Sequence, residues 1–99
     1  MLHVHIDQNT FNVHILSDIH YENSSYLERL LNTFQVPDNI DRLQIDLSQV
    51  KFIDSTGISF LVKWLYPLSA NLEIEMTGAT KPVKKILSIC KIEQFVLLV

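Results

Sequence analysis

The hydroxyl of Ser55 stands in Phe52-Ile53-Asp54-Ser55-Thr56-Gly57-Ile58, where a strand pattern gives way to a tight turn and then to a helix pattern. A hydroxyl at a helix N-terminus is surrounded by free backbone N–H groups and by the positive end of the helix dipole. A phosphate attached there is held favourably. Ser55 is therefore a candidate phosphoacceptor. The same residues have a purely structural reading, in which Asp54 or Ser55 caps the helix by accepting a bond from an N–H two or three residues on. Nucleophilic catalysis has less support: Ser55 is not in a Gly-x-Ser-x-Gly elbow, and no residue is identified as a base aimed at it.

Three other groups of residues could carry chemistry. His3, His5 and His14 fall on one face if the first two strand patterns pair as a hairpin, and three imidazoles can bind zinc or copper. No fourth ligand is evident, so the expectation is an exposed polar face with no metal and no cofactor. Thr77-Gly78-Ala79-Thr80-Lys81 is loop-like but lacks the Gly-Lys-Ser/Thr ending of a nucleotide-binding phosphate loop. Lys81, Lys84 and Lys85 gather at the start of the last helix pattern, unfavourably placed for the helix dipole, and are read as a solvated face.

The elements that would position these residues follow from periodicity. Val4 and Ile6, then Phe11, Val13 and Ile15, alternate with polar residues on either side of Gln8-Asn9. The register that opposes Ile6 to Phe11, Val4 to Val13 and His3 to His14 keeps like with like. Leu27, Leu30, Leu31 and Phe34 follow helical spacing after Ser25, with Glu28 three residues on, the spacing of a capping box. Ile58, Leu61, Val62 and Leu65 repeat the spacing after Gly57, with Pro67 expected to stop that helix near Tyr66. Val83, Ile86, Leu87 and Cys90 repeat it after a Thr80 cap. At about 100° per residue, Gly57, Phe60 and Trp64 fall away from the apolar stripe of the second helix, leaving two large aromatics to be covered by a partner or by a neighbouring loop or helix. Arg42 to Leu47 and Leu72 to Met76 alternate as strands, and Phe95 to Val99 reads as a strand buried on both faces. Alternating strands and helices predict an α/β domain with a mixed, largely parallel sheet entered by an N-terminal hairpin.

Composition narrows the function classes. Ninety-nine residues, 47% apolar, support one domain over residues 1–99. A net charge of −3, from eleven acidic and eight basic residues spread along the chain, offers nucleic-acid phosphates no basic stripe. The lone Cys90, on an apolar stripe, excludes an intrachain disulfide and is read as a small core residue. The longest apolar stretch, Ile58 to Ala70, is broken by Lys63 and Pro67, short of the roughly 20 residues that span a bilayer. A cytoplasmic location without membrane insertion is expected.

From Leu43 to Ile92 the order of strand, Asp54-Ser55-Thr56-Gly57, apolar helix, strand ending in Met76-Thr77-Gly78, and Thr80-Lys81-Pro82-Val83-Lys84-Lys85 resembles a STAS domain of the bacterial anti-sigma factor antagonist type. The resemblance implies a non-enzymatic regulator of transcription in which Ser55 is phosphorylated by a partner kinase that is itself an anti-sigma factor. Asp54, Thr56, Gly57, Ser59, Phe60, Lys63 and Trp64 then form the partner face. A homodimer is compatible with this reading. Three departures are visible. Ser17-Asp18-Ile19-His20 stands where the family often has Gly-Glu-Leu-Asp, so histidine replaces the acid near the phosphoacceptor. Ser59 replaces a second small glycine, and Lys91 stands where glycine commonly follows the third helix. The alternative implied is a STAS accessory subunit of a lipid-transport or signalling scaffold complex, with Ser55 unmodified. A third reading, a small hydrolase or nucleotide-binding protein, predicts turnover or nucleotide affinity, neither of which is expected.

Overall fold

The computed structural model describes residues 2–34 and 37–99; Met1, Gln35 and Val36 of the expected 1–99 domain lie outside the described residues. Two strands, β1 (Leu2–Asp7) and β2 (Thr10–Ile15), pair antiparallel around Gln8-Asn9 in the register set by their alternation: Ile6 opposite Phe11, Val4 opposite Val13, His3 opposite His14. Gln8 takes the left-handed backbone conformation, φ 55°, that the tight reversal requires. From β2 onward the chain alternates: α1 (Ser24–Asn32), β3 (Arg42–Asp46), α2 (Ser55–Leu68), β4 (Glu73–Thr77), α3 (Lys81–Ile89), a 3-10 turn over Ile92–Gln94, and β5 (Leu97–Leu98). The five strands lie in sequence order, with β2 to β5 mutually parallel.

Three consecutive crossovers stepping the same way across a sheet place their helices on one face when all share the usual right hand. Burial agrees. Phe11, Val13 and Ile15, Leu43 and Ile45, and Ile74 and Met76 form one buried cluster with Leu27, Leu31, Phe60, Leu61, Leu65, Val83 and Leu87 of the helices. The alternate strand residues, His3, His5, Asp7, Asn12, His14, Gln44, Asp46, Glu73 and Glu75 among them, face away from that core and are exposed or half-buried. The sheet thus has a greasy face under three helices and an open polar face.

Several expectations need correction. The first helix is capped by Asn23, not Ser25, and the Asn23 side chain serves the preceding loop, accepting from the His20 N–H at 3.0 Å. Phe34 lies past the helix end and is exposed. Pro67 does not stop α2, which continues to Leu68; only one ladder bond is lost, and the carbonyl it frees is that of exposed Lys63. Of the two covers open for the Phe60 and Trp64 stripe, the neighbouring helix is the one found for Phe60, which is buried at 6% exposure where α1 packs alongside α2 and stacks on half-buried Trp64 with ring centroids 5.9 Å apart. Cys90 is exposed: α3 ends at Ile89, Lys91 turns left-handed at φ 59°, and Ile92 fills the core position instead. The last strand is two residues long at a sheet edge, with no layer on its outer face, so Leu97 is 62% exposed rather than buried.

Candidate functional site

The Ser55 turn is built by two loops fastened together. Ile19, in the loop before α1, bridges Ile53 in the loop before α2. The Ile19 N–H donates to the Phe52 carbonyl at 3.1 Å, and the Asp54 N–H donates to the Ile19 carbonyl at 3.2 Å. Asp18 adds a second tie, its Oδ1 accepting from the N–H groups of Lys51 at 2.7 Å and Phe52 at 3.2 Å. Both isoleucines are buried, which anchors the loop pair in the core. Gly57 makes the close approach of loop to helix feasible. A Cβ there would stand 2.3 Å from the Ile19 carbonyl oxygen, closer than any side chain tolerates.

Asp54, in extended conformation, is the cap of α2. One carboxylate oxygen accepts from the Gly57 N–H at 2.8 Å and the other from the Tyr21 N–H at 2.9 Å. These two backbone bonds, Gly57 first and Tyr21 second, hold its carboxyl below the usual aspartate range. His20 and the Thr56 N–H add to the effect, against a smaller desolvation penalty. With Asp54 as the cap, Ser55 has no capping duty. It is the first residue of the helix, exposed, beside a carboxylate on one side and the helix N-terminus on the other.

The expected partner residues divide sharply. Ser55, Ser59 and Lys63 are exposed and successive on α2, Thr56 and Asp54 are half-buried at the turn, and Trp64 is half-buried beside a groove of about 340 Å³ between α1 and α2. Gly57 and Phe60 are buried; Gly57 shapes the surface from beneath, and Phe60 forms part of the floor of that groove. Two residues that sequence reasoning passed over flank the turn: Phe52, 51% exposed, and Tyr21, 76% exposed, its N–H bound to Asp54. Phe52 was legible in principle, since it precedes an inward-facing isoleucine and must point out. Tyr21 was not, because only the tertiary bond to Asp54 brings it there. His20 sits in the same loop, its Nδ1 accepting from the Glu22 N–H at 3.2 Å, close enough to the Asp54 carboxylate to act on its charge.

Thr80 caps α3 as expected, accepting from the Val83 N–H at 3.5 Å. Lys81, Lys84 and Lys85 are exposed. Among the described residues no helix is long and apolar enough to cross a membrane.

Solved structures place this fold among known ones. A Thermotoga maritima protein assigned as an anti-sigma factor antagonist superposes with a TM-score of 0.82 at 17% identity, over 98% of this chain and 84% of its own. The anti-sigma factor antagonist SpoIIAA, in its unphosphorylated form, gives 0.67 at 11% identity, covering all of this chain and 87% of its own. The murine Solute Carrier 26 family member A9 anion transporter gives 0.77 at 19% identity, over 93% of this chain but only 16% of the transporter. No curated protein sequence matches. The model of the STAS domain family matches residues 2–99, and the chain belongs to that family.

Proposed function

We propose that this protein is a phosphorylation-controlled binding module of the anti-sigma factor antagonist type, a regulator and not an enzyme. In this reading it binds an anti-sigma factor with Ser/Thr kinase activity while Ser55 is unmodified. The observation that carries the reading is the division of labour at the turn: Asp54 takes the cap, and Ser55 is left exposed as the first residue of α2. Around it, Phe52, Tyr21, Ser59 and Lys63 supply an exposed surface with apolar and polar parts, as a protein interface requires.

The switch is local electrostatics. Phosphate adds about −1.5 to −2 charges at Ser55. The neighbouring Asp54 carboxylate, held ionised by its two backbone bonds, adds like charge at the same spot. A contact that accepts a neutral hydroxyl then has to desolvate a dianion, and the complex dissociates. Binding of the partner kinase to Ser55→Ala and Ser55→Asp proteins tests this. Ser55→Ala is expected to bind like unmodified protein and Ser55→Asp at least about tenfold more weakly, roughly 1.4 kcal/mol; equal affinities defeat the proposal.

The likeness to a domain of an anion transporter favours one alternative, an accessory subunit whose same face holds a fixed partner with Ser55 unmodified. Neighbouring genes distinguish the two: a kinase-like ATPase and a sigma factor support the switch, transporter components the subunit.

A further inference from the structure

The two edges of the sheet are protected unequally. β5 is two residues long, and so short an edge strand gives another chain little to pair with. β1, at the opposite edge, runs six residues in unbroken register with β2. It has no bulge, proline or lysine, the devices that usually blunt an edge. Apart from two histidines its only ionisable side chain is Asp7, at the end beside the turn.

Which backbone groups β1 turns outward follows from the ladder. Gln8 and Asn9 form a two-residue turn, which is closed by a hydrogen-bonded pair, Asp7 and Thr10. The Asn9 carbonyl accepts from the N–H groups of Asp41 and Arg42, on the β3 side, in keeping with that alternation. His5 and His3 then turn their N–H and C=O groups towards β2, and Leu2, Val4 and Ile6 turn theirs away from it. Among the described residues no strand takes up those groups. The same three residues carry the apolar side chains of β1: Leu2 and Val4 are half-buried and Ile6 is 49% exposed. One strip thus offers unpaired backbone groups and apolar surface together, the combination that an added strand satisfies.

We propose that the added strand is β1 of a second copy of this chain, paired antiparallel about a two-fold axis at Val4 and joining two five-stranded sheets into one. The strand is complementary to itself in that register. Val4 opposes Val4, Leu2 opposes Ile6 and His3 opposes His5 of the second copy, so apolar residues meet on the helix side and histidines on the open side. A one-residue shift would set Leu2 and Val4 against histidine. Asp7 falls outside the five paired positions, so no carboxylates oppose one another. Leu2, Val4 and Ile6 become hydrogen-bonded pairs, which satisfies every backbone group that β1 turns outward. No residue of the Ser55 turn takes part, so the pairing stands or falls apart from the switch.

The test is sedimentation equilibrium of the full chain from micromolar to millimolar concentration, where the mass is expected to rise from 11.5 kDa towards twice that value. Val4→Pro removes an N–H that donates to nothing within the chain, and Ile6→Lys puts a charge on the exposed strip with the backbone intact. The proline change deletes two hydrogen bonds per dimer, so it is expected to weaken dimerisation about tenfold or more. Ile6→Lys is expected to weaken it as well, with thermal unfolding showing that each variant is folded. Leu97→Lys, on the short edge, is expected to leave dimerisation unchanged. In a Cys90→Ser background, Val4→Cys places two thiols directly opposite, with Cα atoms about 5.5 Å apart and within disulfide reach. It is expected to oxidise to a covalent dimer faster than His5→Cys, whose two copies lie diagonally, about 7–8 Å apart. A single-chain mass at millimolar concentration, which would leave this edge to a strand of another protein, overturns the proposal. So does a dimer undiminished in folded Val4→Pro and Ile6→Lys, or equal cross-linking at the two positions.

Discussion

Replacing Gly57 by alanine sets two effects against each other, and the distances decide between them. Intrinsic propensity favours alanine over glycine in a helix by about 1 kcal/mol, less in the first turn. The added methyl, however, meets backbone: 2.3 Å to the Ile19 carbonyl oxygen, 2.9 Å to its carbon and 3.0 Å to Ile53 Cγ2. Relief requires the loop before α1 to move away from α2, straining the Ile19 to Phe52 and Asp54 to Ile19 bonds. Overpacking of this kind costs about 1–3 kcal/mol, and two weakened hydrogen bonds add about 1 kcal/mol each. After subtracting the propensity gain, Gly57→Ala is destabilising by about 2–4 kcal/mol. At roughly 4–8 °C per kcal/mol for a domain of this size, Tm falls by about 8–32 °C. Thermal unfolding followed by far-UV circular dichroism measures it. An unchanged or raised Tm would mean that the loop and helix are not clamped by backbone contact.

Three further outcomes follow from the same structure. Phe60→Ala removes a buried ring from between α1 and α2 and should cost about 3–5 kcal/mol in chemical denaturation, whereas Lys63→Ala, on the exposed side of the same helix, should leave stability within about 0.5 kcal/mol. The Asp54 carboxyl titrates below its unfolded value, so its contribution to stability is fully present above the unfolded pKa of about 3.9 and is lost as pH falls through the folded one. An acid titration of Asp54→Asn should therefore lack part of the wild-type loss of stability in that window. Cys90, exposed past the end of α3, should react with a thiol reagent in the native protein at nearly the rate seen in denaturant.

How legible the fold was depended on whether a signal was local. The hairpin register followed from alternation alone, since a one-residue slip turns Val13 outward and His14 inward. The Asp54 and Thr80 caps were equally local, each a short polar side chain three residues before the N–H it binds. Periodicity identified the faces of α2 but not their neighbours, so it left open whether a partner or a neighbouring helix covers Phe60, and the buried surface proved wider than one stripe. Cys90 and Phe34 failed for a related reason: each continued an apolar spacing past the residue where its helix ends. An apolar run such as Phe95 to Val99 reads alike whether a strand is central or at an edge, and only the strand order shows that it is an edge. At the site, Ser55 and Asp54 were readable from their turn. Tyr21, Asp18 and the fastening by Ile19 are products of tertiary contact between segments more than thirty residues apart.

The proposed switch resides in Ser55. Its most direct measurement is intact mass with phosphosite mapping of the protein isolated from its own cells, in free form and in complex with its partner. One phosphate is expected in the free pool, mapped to Ser55, and none in the partner-bound pool. A chain unphosphorylated under every growth condition, or phosphorylated at Ser55 to the same extent in both pools, would contradict it.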